Sequence, residues 1–332
     1  MGMNKLPTAK RIQILSLLVE GSSMRSISRV ARVSINTVTK LLIDAGEACA
    51  AYHDEYVRDV KAARIQCDEI WSFCYAKQSN VATAKAAPAE AGDVWTWTAL
   101  DSDSKMILSY VIGGRDAGYA HEFMQDVAAR LATRVQLTTD GHKPYLEAVD
   151  GAFGAAVDYA QLVKLYGDVP EAHKGRYSPA ECTGAKKRRV EGNPSVKDIS
   201  TSHVERHNLT MRMSMRRFTQ LTNAFSKKID NHIHMLSLYF LHYNFCRQHK
   251  SLDGLSPAMA AGVSDTLHDM EWIVGLIDSR APKPGPRGPY KKKAADAEAL
   301  TEDEIASLKG RAKEQSDYGK EAFADLRPED SN

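Results

Sequence analysis

The sequence lacks the features that mark membrane-spanning, exported and zinc-ribbon proteins. It contains no apolar run of about 18 residues, the length that a transmembrane helix requires. The N-terminus lacks the basic and then apolar pattern of a signal peptide. Five cysteines are scattered without a Cys-x-x-Cys pair, which argues against a zinc ribbon and against a disulfide framework. We therefore expect a cytoplasmic protein that makes no contact with a membrane.

Charge is nearly balanced over the whole chain, so no simple excess of one sign indicates a function. The formal net charge of the 332 residues is +2. Its distribution is uneven, because residues 294–332 carry a net charge of −6 and residues 1–293 a net charge of +8. A basic body of this kind suits nucleic-acid binding. A solvated basic surface followed by an acidic tail explains the charge alone equally well.

The N-terminal region predicts three helices. Apolar residues recur at helical spacing over residues 9–19, and Gly21 ends that helix. Ser23 can cap a short second helix, and after a tight turn Ser34 can cap a third helix that ends at Gly46. The side chains that this pattern directs into the core are Ile27, Val30, Val38, Leu41 and Leu42.

The second and third helices, joined by a tight turn, predict a helix-turn-helix DNA-binding domain. The third helix exposes polar side chains that can contact the edges of bases in the major groove of DNA. These side chains are Asn36, Thr37, Thr39 and Lys40. The alternative interpretation is a plain helical bundle with one polar face.

The periodicity of the sequence changes from helical to alternating at residue 64, which predicts an α/β domain over residues 64–260. The order strand, hairpin, helix, strand, helix, strand predicts a mixed sheet with flanking helices. Strands are predicted at 64–73, 93–100, 106–112, 135–139 and 155–160, and helices at 119–131, 144–149, 202–217 and 224–247.

The remaining segments complete the predicted domain organisation. A Pro/Gly-rich basic arm at residues 282–293 could lie along DNA, or could be a solvated linker. The acidic tail has a composition typical of disordered segments. The predicted parts are the helix-turn-helix domain at 1–50, a helical linker at 51–63, a flexible basic insertion at 167–200, a C-terminal extension at 261–293 that includes the arm, and the tail at 294–332.

The stretch SHVERHNLTMR, residues 202–212, allows three interpretations. His203 and His207 lie four residues apart, as zinc ligands on a helix can, but no third ligand follows at a recognisable spacing. Ser202 and Glu205 match a capping box. Alternatively, Glu205 shares a helix face with Arg212, an arrangement that suits a site holding a metal ion and a phosphodiester together.

Two acidic residues on strands are candidate partners for Glu205 in such a metal site. Asp68 lies in the first strand, where a charge beside apolar neighbours is costly unless it is paired or bound to a cation. Neighbouring strand residues point to opposite faces, so we expect only one of Asp68 and Glu69 to face the site. Asp140 follows a strand directly, although Asp-Gly is also a common turn pair.

At these residues the chain resembles the bacterial insertion-sequence-1 family (InsAB-type) of DDE transposases. The matching segments are DEIW at 68–71, TDGHKPY at 139–145 and ERHN at 205–208, in that order. The later segment YNFCRQHKSLDGLSPAMA at 243–260 is similar to the closing segment of such enzymes. The resemblance covers about residues 64–260, and the helix-turn-helix prediction fits the same arrangement.

The resemblance implies a ribonuclease-H-like core and a DNA transposase. It implies that Asp68, Asp140 and Glu205 bind two divalent ions, Mg²⁺ or Mn²⁺. The implied reaction is hydrolysis at the ends of the element, followed by attack of the freed 3′-hydroxyl on target DNA. Partners would be double-stranded DNA and further copies of the chain assembled on it, in association with the nucleoid. The residues expected to contact DNA beside this site are Arg206, Arg212 and Arg216.

The chain departs from the family in two respects, and other functions remain open. The N-terminal zinc-binding cysteines of the family are missing, and the acidic tail has no counterpart. One alternative function is a non-catalytic helix-turn-helix regulator, which would not need Asp68, Asp140 and Glu205 together. Another is a nuclease of the same fold that cuts DNA without joining strands.

Overall fold

A computed structural model describes residues 5–167, 182–219 and 223–281. Within these residues the chain is mixed α/β, with helices packed against a six-stranded mixed sheet. The strands are β1 (Arg64–Cys74), β2 (Gly92–Asp101), β3 (Ile107–Gly113), β4 (Gln136–Thr139), β5 (Asp158–Tyr166) and β6 (Cys182–Glu191). The helices are α1 (Thr8–Val19), α2 (Met24–Ala31), α3 (Ile35–Tyr56), α4 (Ala117–Arg130), α5 (Pro144–Phe153), α6 (Ser202–Ser214), α7 (Ile229–Phe245), α8 (Pro257–Ala260) and α9 (Met270–Arg280). None of these helices combines the length and the apolarity that crossing a bilayer requires.

The order of the strands in the sheet is β3-β2-β1-β4-β5-β6. β1 pairs with β2 in the antiparallel sense and with β4 in the parallel sense, and β4 pairs with β5 in the parallel sense. β3 and β6 lie at the two edges, each antiparallel to its neighbour. The carboxyl ends of β1, β4 and β5 therefore point toward the same edge of the sheet, where side chains from three strands can meet.

β6 corrects the prediction of a flexible insertion over residues 167–200. Residues 182–191 form a strand that pairs with β5, and residues 168–181 lie outside the described residues. Sequence periodicity missed this strand because it buries neither face, so polar residues follow one another without alternation. Consecutive charges at Lys186, Lys187, Arg188 and Arg189 suit an edge strand, because they hinder pairing with another chain.

The starts of the N-terminal helices agree with the predicted caps. Ser23 Oγ accepts a hydrogen bond from the backbone N–H of Ser26, and Ser34 Oγ accepts one from the backbone N–H of Thr37. The prediction that Val30 faces the core is wrong, because this side chain is 56% exposed. The eight-residue helix α2 buries the narrow stripe formed by Ile27 and Ala31, which excludes Val30.

Helix α3 is longer than the sequence predicted. It continues past Gly46 and ends at Tyr56, so the predicted helix end at Gly46 is wrong. Gly46 lies where α3 packs against α7, and a Cβ at this position would lie 2.4 Å from Cβ of His234. The glycine therefore serves the close approach of two helices and does not end one.

The N-terminal helices and the sheet share one hydrophobic core. Buried apolar side chains form a single cluster that extends from Ile14 on α1 to Ile277 on α9. Between α3 and β1, the backbone N–H of Val60 donates to the carbonyl of Arg130 at 2.9 Å. The guanidinium of Arg130 in turn donates to the carbonyl of Val57 at 3.0 Å. The segment at 51–63 is thus packed on α4, and the proposed domain boundaries remain a prediction. The arm and the acidic tail lie outside the described residues.

Candidate functional site

Three carboxylates meet where β1 and β4 separate. The two strands pair only over Arg64–Gln66 and Gln136–Thr138, so β1 leaves β4 just before Asp68. Asp140 follows the last residue of β4 and lies beside this gap. One carboxylate oxygen from each of Asp68, Glu69 and Asp140 lies within 4.8 Å of the other two. The sequence-predicted pair of Asp68 and Asp140 is therefore brought together, with Glu69 as an unexpected third member.

Glu69 corrects the expectation that only one of two neighbouring strand residues could face the site. Its side chain is 1% exposed and extends on the face of the sheet opposite to that of Asp68. The gap between β1 and β4 allows side chains from both faces to approach Asp140, which lies beyond the end of its own strand. Alternation along a strand predicts the direction of a side chain, but it does not predict where the neighbouring strand ends.

Burial and mutual repulsion disfavour the charged forms of two of these carboxyl groups. Burial, and then the neighbouring charge of Asp140, raises the pKa of Asp68 to about 6. The same two causes raise the pKa of Glu69 to about 7. Carboxylates arranged in this way are poorly stabilised by the protein alone, and a bound cation would stabilise their ionised forms.

Two cationic side chains border the carboxylates, and sequence reasoning missed both. The Arg115 Nη2 atom lies 3.2 Å from Glu69 Oε2 and 3.8 Å from Asp140 Oδ2, while its guanidinium stacks 4.5 Å from the centre of the Trp95 ring. On the other side, Lys164 Nζ lies 2.8 Å from Glu205 Oε1. These residues lie in a loop and on β5, far from the acidic residues in sequence, so no spacing could have indicated them.

Glu205 borders the three-carboxylate group without belonging to it. It lies in the first turn of α6, and its charge contributes to the raised pKa of Asp68. The capping-box interpretation is wrong, because it requires Ser202 as the N-cap residue, whereas the N-cap residue is Thr201. The hydroxyl of Thr201 donates to the Glu205 carboxylate. The Glu205 side chain is about one third exposed, at 36%, and is paired with Lys164. Glu205 is thus available at the site, but in this structure it is held by partners within the protein.

Two polar side chains attach α6 to β1. Gln66 Oε1 accepts hydrogen bonds from the backbone N–H groups of His203 at 2.8 Å and Val204 at 3.2 Å. One helical turn later, Asn208 Nδ2 donates to Asp68 Oδ2 at 2.8 Å. Sequence reasoning assigned neither residue a role, although Gln66 shares a strand face with Asp68 and Asn208 belongs to the quoted ERHN segment. These bonds place Glu205 beside the sheet carboxylates.

The two histidines of SHVERHNLTMR do not form a zinc site. His207 is buried against Tyr239, Phe240 and Tyr243, and burial lowers its pKa to about 3. Its two ring nitrogens have no hydrogen-bond partner among the described residues. His203 is exposed on the helix. Within the described part of the chain, the three-carboxylate group is the one cluster with the geometry of a metal site.

The arginines predicted to contact DNA are all exposed, but one of them lies off the predicted helix. Arg206 and Arg212 lie on α6. The helix predicted over residues 202–217 would include Arg216, but α6 ends at Ser214, and Arg216 lies in a 3₁₀ turn over Arg216–Phe218. Arg216 instead lines an open pocket together with Arg29 of α2. This pocket joins the end of α6 to the N-terminal helices.

Of the four side chains predicted to contact bases, two are exposed and two are held by local hydrogen bonds, and their contact with DNA stays a prediction. Asn36 and Lys40 are exposed on α3. The hydroxyl of Thr37 pairs with Ser34 Oγ at the helix cap, at 2.8 Å. The hydroxyl of Thr39 donates to the carbonyl of Ile35 at 3.0 Å. Local hydrogen bonds of this kind occupy short polar side chains near helix starts.

Comparison with known proteins identifies no family. No protein-family model matches the chain, and no curated protein matches it. Among solved structures, the chain is similar to the crystal structure of a pre-cleavage Mos1 transpososome, with 11% sequence identity and a TM-score of 0.23. That similarity covers 73% of this chain and 78% of the other chain. A TM-score of this size does not establish a common fold.

Proposed function

We propose that the protein is the DNA transposase of an insertion sequence, and that it cleaves DNA at the acidic group by metal-dependent phosphodiester hydrolysis. The observation that carries the proposal is that one carboxylate oxygen from each of Asp68, Glu69 and Asp140 lies within 4.8 Å of the others, with Glu69 buried, the other two groups partly buried, and the charges repelling one another. Structural ion pairs balance opposite charges, whereas this group concentrates like charges, as a cation site does.

The residues present fit a divalent cation of the magnesium type. Carboxylate oxygens are the ligands that Mg²⁺ and Mn²⁺ prefer, and the cysteines and histidines that zinc prefers are absent from this cluster. Asn208, which contacts Asp68, brings a further oxygen atom to the group: the residue is 5% exposed, and its Oδ1 atom has no hydrogen-bond partner among the described residues. Asp68, Glu69 and Asp140 would hold the ion. When bound, the ion would lower the pKa of a water molecule or polarise a phosphodiester oxygen.

The protein's own groups would orient the carboxylates and the substrate. Asn208 holds one oxygen of Asp68, leaving the other for a ligand. Arg115, fixed by stacking on Trp95, places a guanidinium at the rim, where it can bind a phosphate oxygen. Arg206 and Arg212 are exposed basic side chains on the helix that carries Glu205.

Three considerations favour a transposase over the alternatives. A non-catalytic regulator has no use for a cluster of repelling carboxylates. The order of the segments DEIW, TDGHKPY and ERHN matches that of DDE transposases, and the strand order is compatible with a ribonuclease-H-like core. The exposed Asn36 and Lys40 on α3 suit recognition of specific DNA ends, which a general nuclease would not need. Recognition by the N-terminal helices and assembly of several copies on DNA are parts of this proposal.

Cleavage of a supercoiled plasmid that carries the gene with its native flanks tests the proposal. We expect nicking that maps to the flanks, requires Mn²⁺ or Mg²⁺ and stops with a chelator. Asp140→Asn should reduce nicking by about 100-fold or more and leave binding to the flanks intact, because a metal ligand is lost and the fold is kept. Asp150→Asn, which changes an exposed carboxylate on α5, is the matched control. Metal-independent nicking, or equal activity of Asp140→Asn, would contradict the proposal.

A further inference from the structure

The pairing of Lys164 with Glu205 separates one carboxylate of the site from the other three. Lys164 lies on β5, opposite Ala185 in the strand register, and its ammonium is 2.8 Å from Glu205 Oε1. The positive charge of Lys164 also acts on Asp68. One ammonium therefore pairs with the helix-borne carboxylate and also acts on a sheet-borne one.

The charges around the site leave room for one divalent cation before any group moves. The four carboxylates are Asp68, Glu69, Asp140 and Glu205, and the two cations that contact them, among the residues that the structure describes, are Arg115 and Lys164. When all four groups are ionised, the form that a bound cation stabilises, two negative charges remain uncompensated, and they lie among the three sheet carboxylates. A second divalent ion would overcompensate the site unless one of the internal cations left it.

Of the two internal cations, Lys164 is the more easily released. Arg115 stacks on Trp95 and contacts two carboxylates, so its position is fixed on several sides. Within the described part of the chain Lys164 forms one ion pair, in which both side chains are about one third exposed, at 35% and 36%. Pairs of this exposure contribute little to stability, and the flexible lysine side chain can move to solvent without disturbing its strand.

We propose that Lys164 competes with a second divalent cation for Glu205, so that the site loads one ion at the sheet carboxylates first and a second only when the Lys164 ammonium leaves. This inference rests on the metal-dependent function proposed above. Lys164 acts here as a positioning residue, because it holds Glu205 until the second ion takes its place. Once released from Glu205, the Lys164 ammonium stays near the site because β5 carries it, and there it can pair with a phosphate of bound DNA.

A titration that counts bound Mn²⁺ by the loss of the free-ion electron paramagnetic resonance signal tests the order of loading. The wild-type chain should bind one Mn²⁺ tightly and a second more weakly. Lys164→Met should tighten the second site about tenfold, a change that corresponds to ~1.4 kcal/mol, and leave the first within about twofold. Lys164→Arg keeps the charge and should behave like the wild type. Glu205→Gln should bind one ion.

A control separates competition from a general change in charge. Lys187→Met removes one ammonium from the adjacent strand β6, where Lys187 Nζ donates to the carbonyl of Val196 at 2.7 Å. It should change neither affinity by more than about twofold, because this exposed ammonium is bonded to Val196 and solvent screens its charge. An equal gain in Lys187→Met and Lys164→Met would overturn the proposal, and so would an unchanged second site in Lys164→Met.

A second measurement uses the unaltered chain and does not depend on a variant folding. Acetylation of lysines by a dilute acylating reagent, followed residue by residue with mass spectrometry, reports how free each amine is. Mn²⁺ at concentrations that fill the second site should increase the labelling rate of Lys164 and leave that of Lys187 unchanged. Labelling of Lys164 that does not respond to Mn²⁺ would overturn the inference.

These outcomes distinguish the inference from the function on which it rests. If the wild-type chain binds no Mn²⁺ at millimolar concentrations, the metal-dependent function and the inference both fail. If it binds two ions and Lys164→Met changes neither affinity, the metal site stands and only the role of Lys164 is wrong.

Discussion

The carboxylates carried by the sheet and the carboxylate carried by helix α6 differ in how the fold treats them. Asp68 and Glu69 are held on the central strand, near Asp140, with raised pKa values that reflect burial and repulsion. Glu205 is about one third exposed and already has two partners within the protein, Lys164 and Thr201. The difference is what the proposed order of loading requires: the sheet carboxylates would bind the first cation as they stand, and Glu205 would have to give up Lys164 before it bound the second.

The largest expected difference is in the affinity for the first Mn²⁺, between a variant that lacks a sheet carboxylate and one that lacks the carboxylate of α6. We expect Glu69→Gln to weaken binding of the first Mn²⁺ by about 10–100-fold, the scale found when the direct surroundings of a metal are altered. Glu205→Gln should leave that affinity within about twofold, because Glu205 lies outside the three-carboxylate group. The measurement is the Mn²⁺ titration, with Glu122→Gln on the exposed face of α4 as the control. Equal losses in the two variants would abolish the distinction between the sheet carboxylates and Glu205.

Asn208 links α6 to Asp68 on the sheet, and its removal should affect catalysis more than folding. Asn208→Ala deletes the hydrogen bond from Nδ2 to Asp68 Oδ2, so Asp68 loses its orienting partner. We expect metal-dependent nicking to fall about 10-fold, a typical effect of losing a group that orients a ligand. Circular dichroism should remain that of the wild type. Full nicking activity in a folded Asn208→Ala protein would show that α6 does not need this bond to position the site.

Gly21 tests how the far end of α6 is held. Its φ is +77°, and a Cβ there would lie 2.7 Å from the carbonyl oxygen of Ser214, the last residue of the helix. Gly21→Ala should lower the free energy of unfolding by roughly 1–3 kcal/mol through backbone strain and this clash. Gly262→Ala is a matched control, because Gly262 has φ +70° but no atom within 4 Å of the added Cβ. Chemical denaturation measures both variants.

Mn²⁺ titration of the two glycine variants tests whether the position of α6 affects the second metal site more than the first. Gly21→Ala moves the end of α6, so it should weaken the second metal site, which depends on Glu205, more than the first. The control at Gly262 should affect neither site. Equal destabilisation by the two substitutions would mean that the contact with Ser214 contributes nothing beyond the cost of the left-handed backbone.

A smaller effect, on stability alone, is expected from removing the ion pairs of Asp278, which lie outside the site. Hydrogen bonds from Arg11 and Lys5 hold the pKa of Asp278 at about 2, below its ordinary value of 3.8. Asp278 is 38% exposed, so solvent screens the pair, and Asp278→Asn should cost about 1 kcal/mol. Because the folded pKa is lowered, the stabilisation is complete above pH ~4 and is lost as the pH falls through about 2.

Thermal unfolding of Asp278→Asn at pH 7 and at pH 2 measures this effect. Its difference from the wild type should shrink at the lower pH, while Mn²⁺ binding at pH 7 remains unchanged. Asp265→Asn changes an exposed aspartate without an ion pair among the described residues and is the control. A difference that stays constant with pH would contradict a role for the charge of Asp278.

The sequence predicted the sheet carboxylates better than the groups around them. Asp68 and Asp140 are brought together as expected: Asp68 lies within β1 just beyond its pairing with β4, and Asp140 directly follows the last residue of β4. The alternation of side chains along a strand predicted that Glu69 would point away from Asp68 and the site. It did not predict Glu69 in the site, because alternation carries no information on where the neighbouring strand β4 ends. Arg115 and Lys164 were missed because they lie in a loop and on a half-buried strand, and only the tertiary fold brings them near the acids.

The secondary structure likewise divides into elements that the sequence predicted and features that it missed. Buried strands and capped helices carry their own signals, so β1 and the starts of α2 and α3 were predicted correctly. The edge strand β6 has no buried face and hence no period, and Gly46 resembles a helix end although it serves the packing of α3 on α7. Features that depend on what lies next to a segment cannot be deduced from the segment itself.

Asp68, Glu69 and Asp140 are proposed to bind a divalent cation together. Anomalous diffraction from crystals of the full chain soaked in Mn²⁺ tests it most directly, because the anomalous signal locates manganese without reference to activity. We predict a peak within about 2.0–2.4 Å of oxygens from these carboxylates, the range of divalent ions with oxygen ligands, filled before any peak at Glu205. Manganese located elsewhere, or no peak among the three carboxylates at saturating Mn²⁺, would contradict the account.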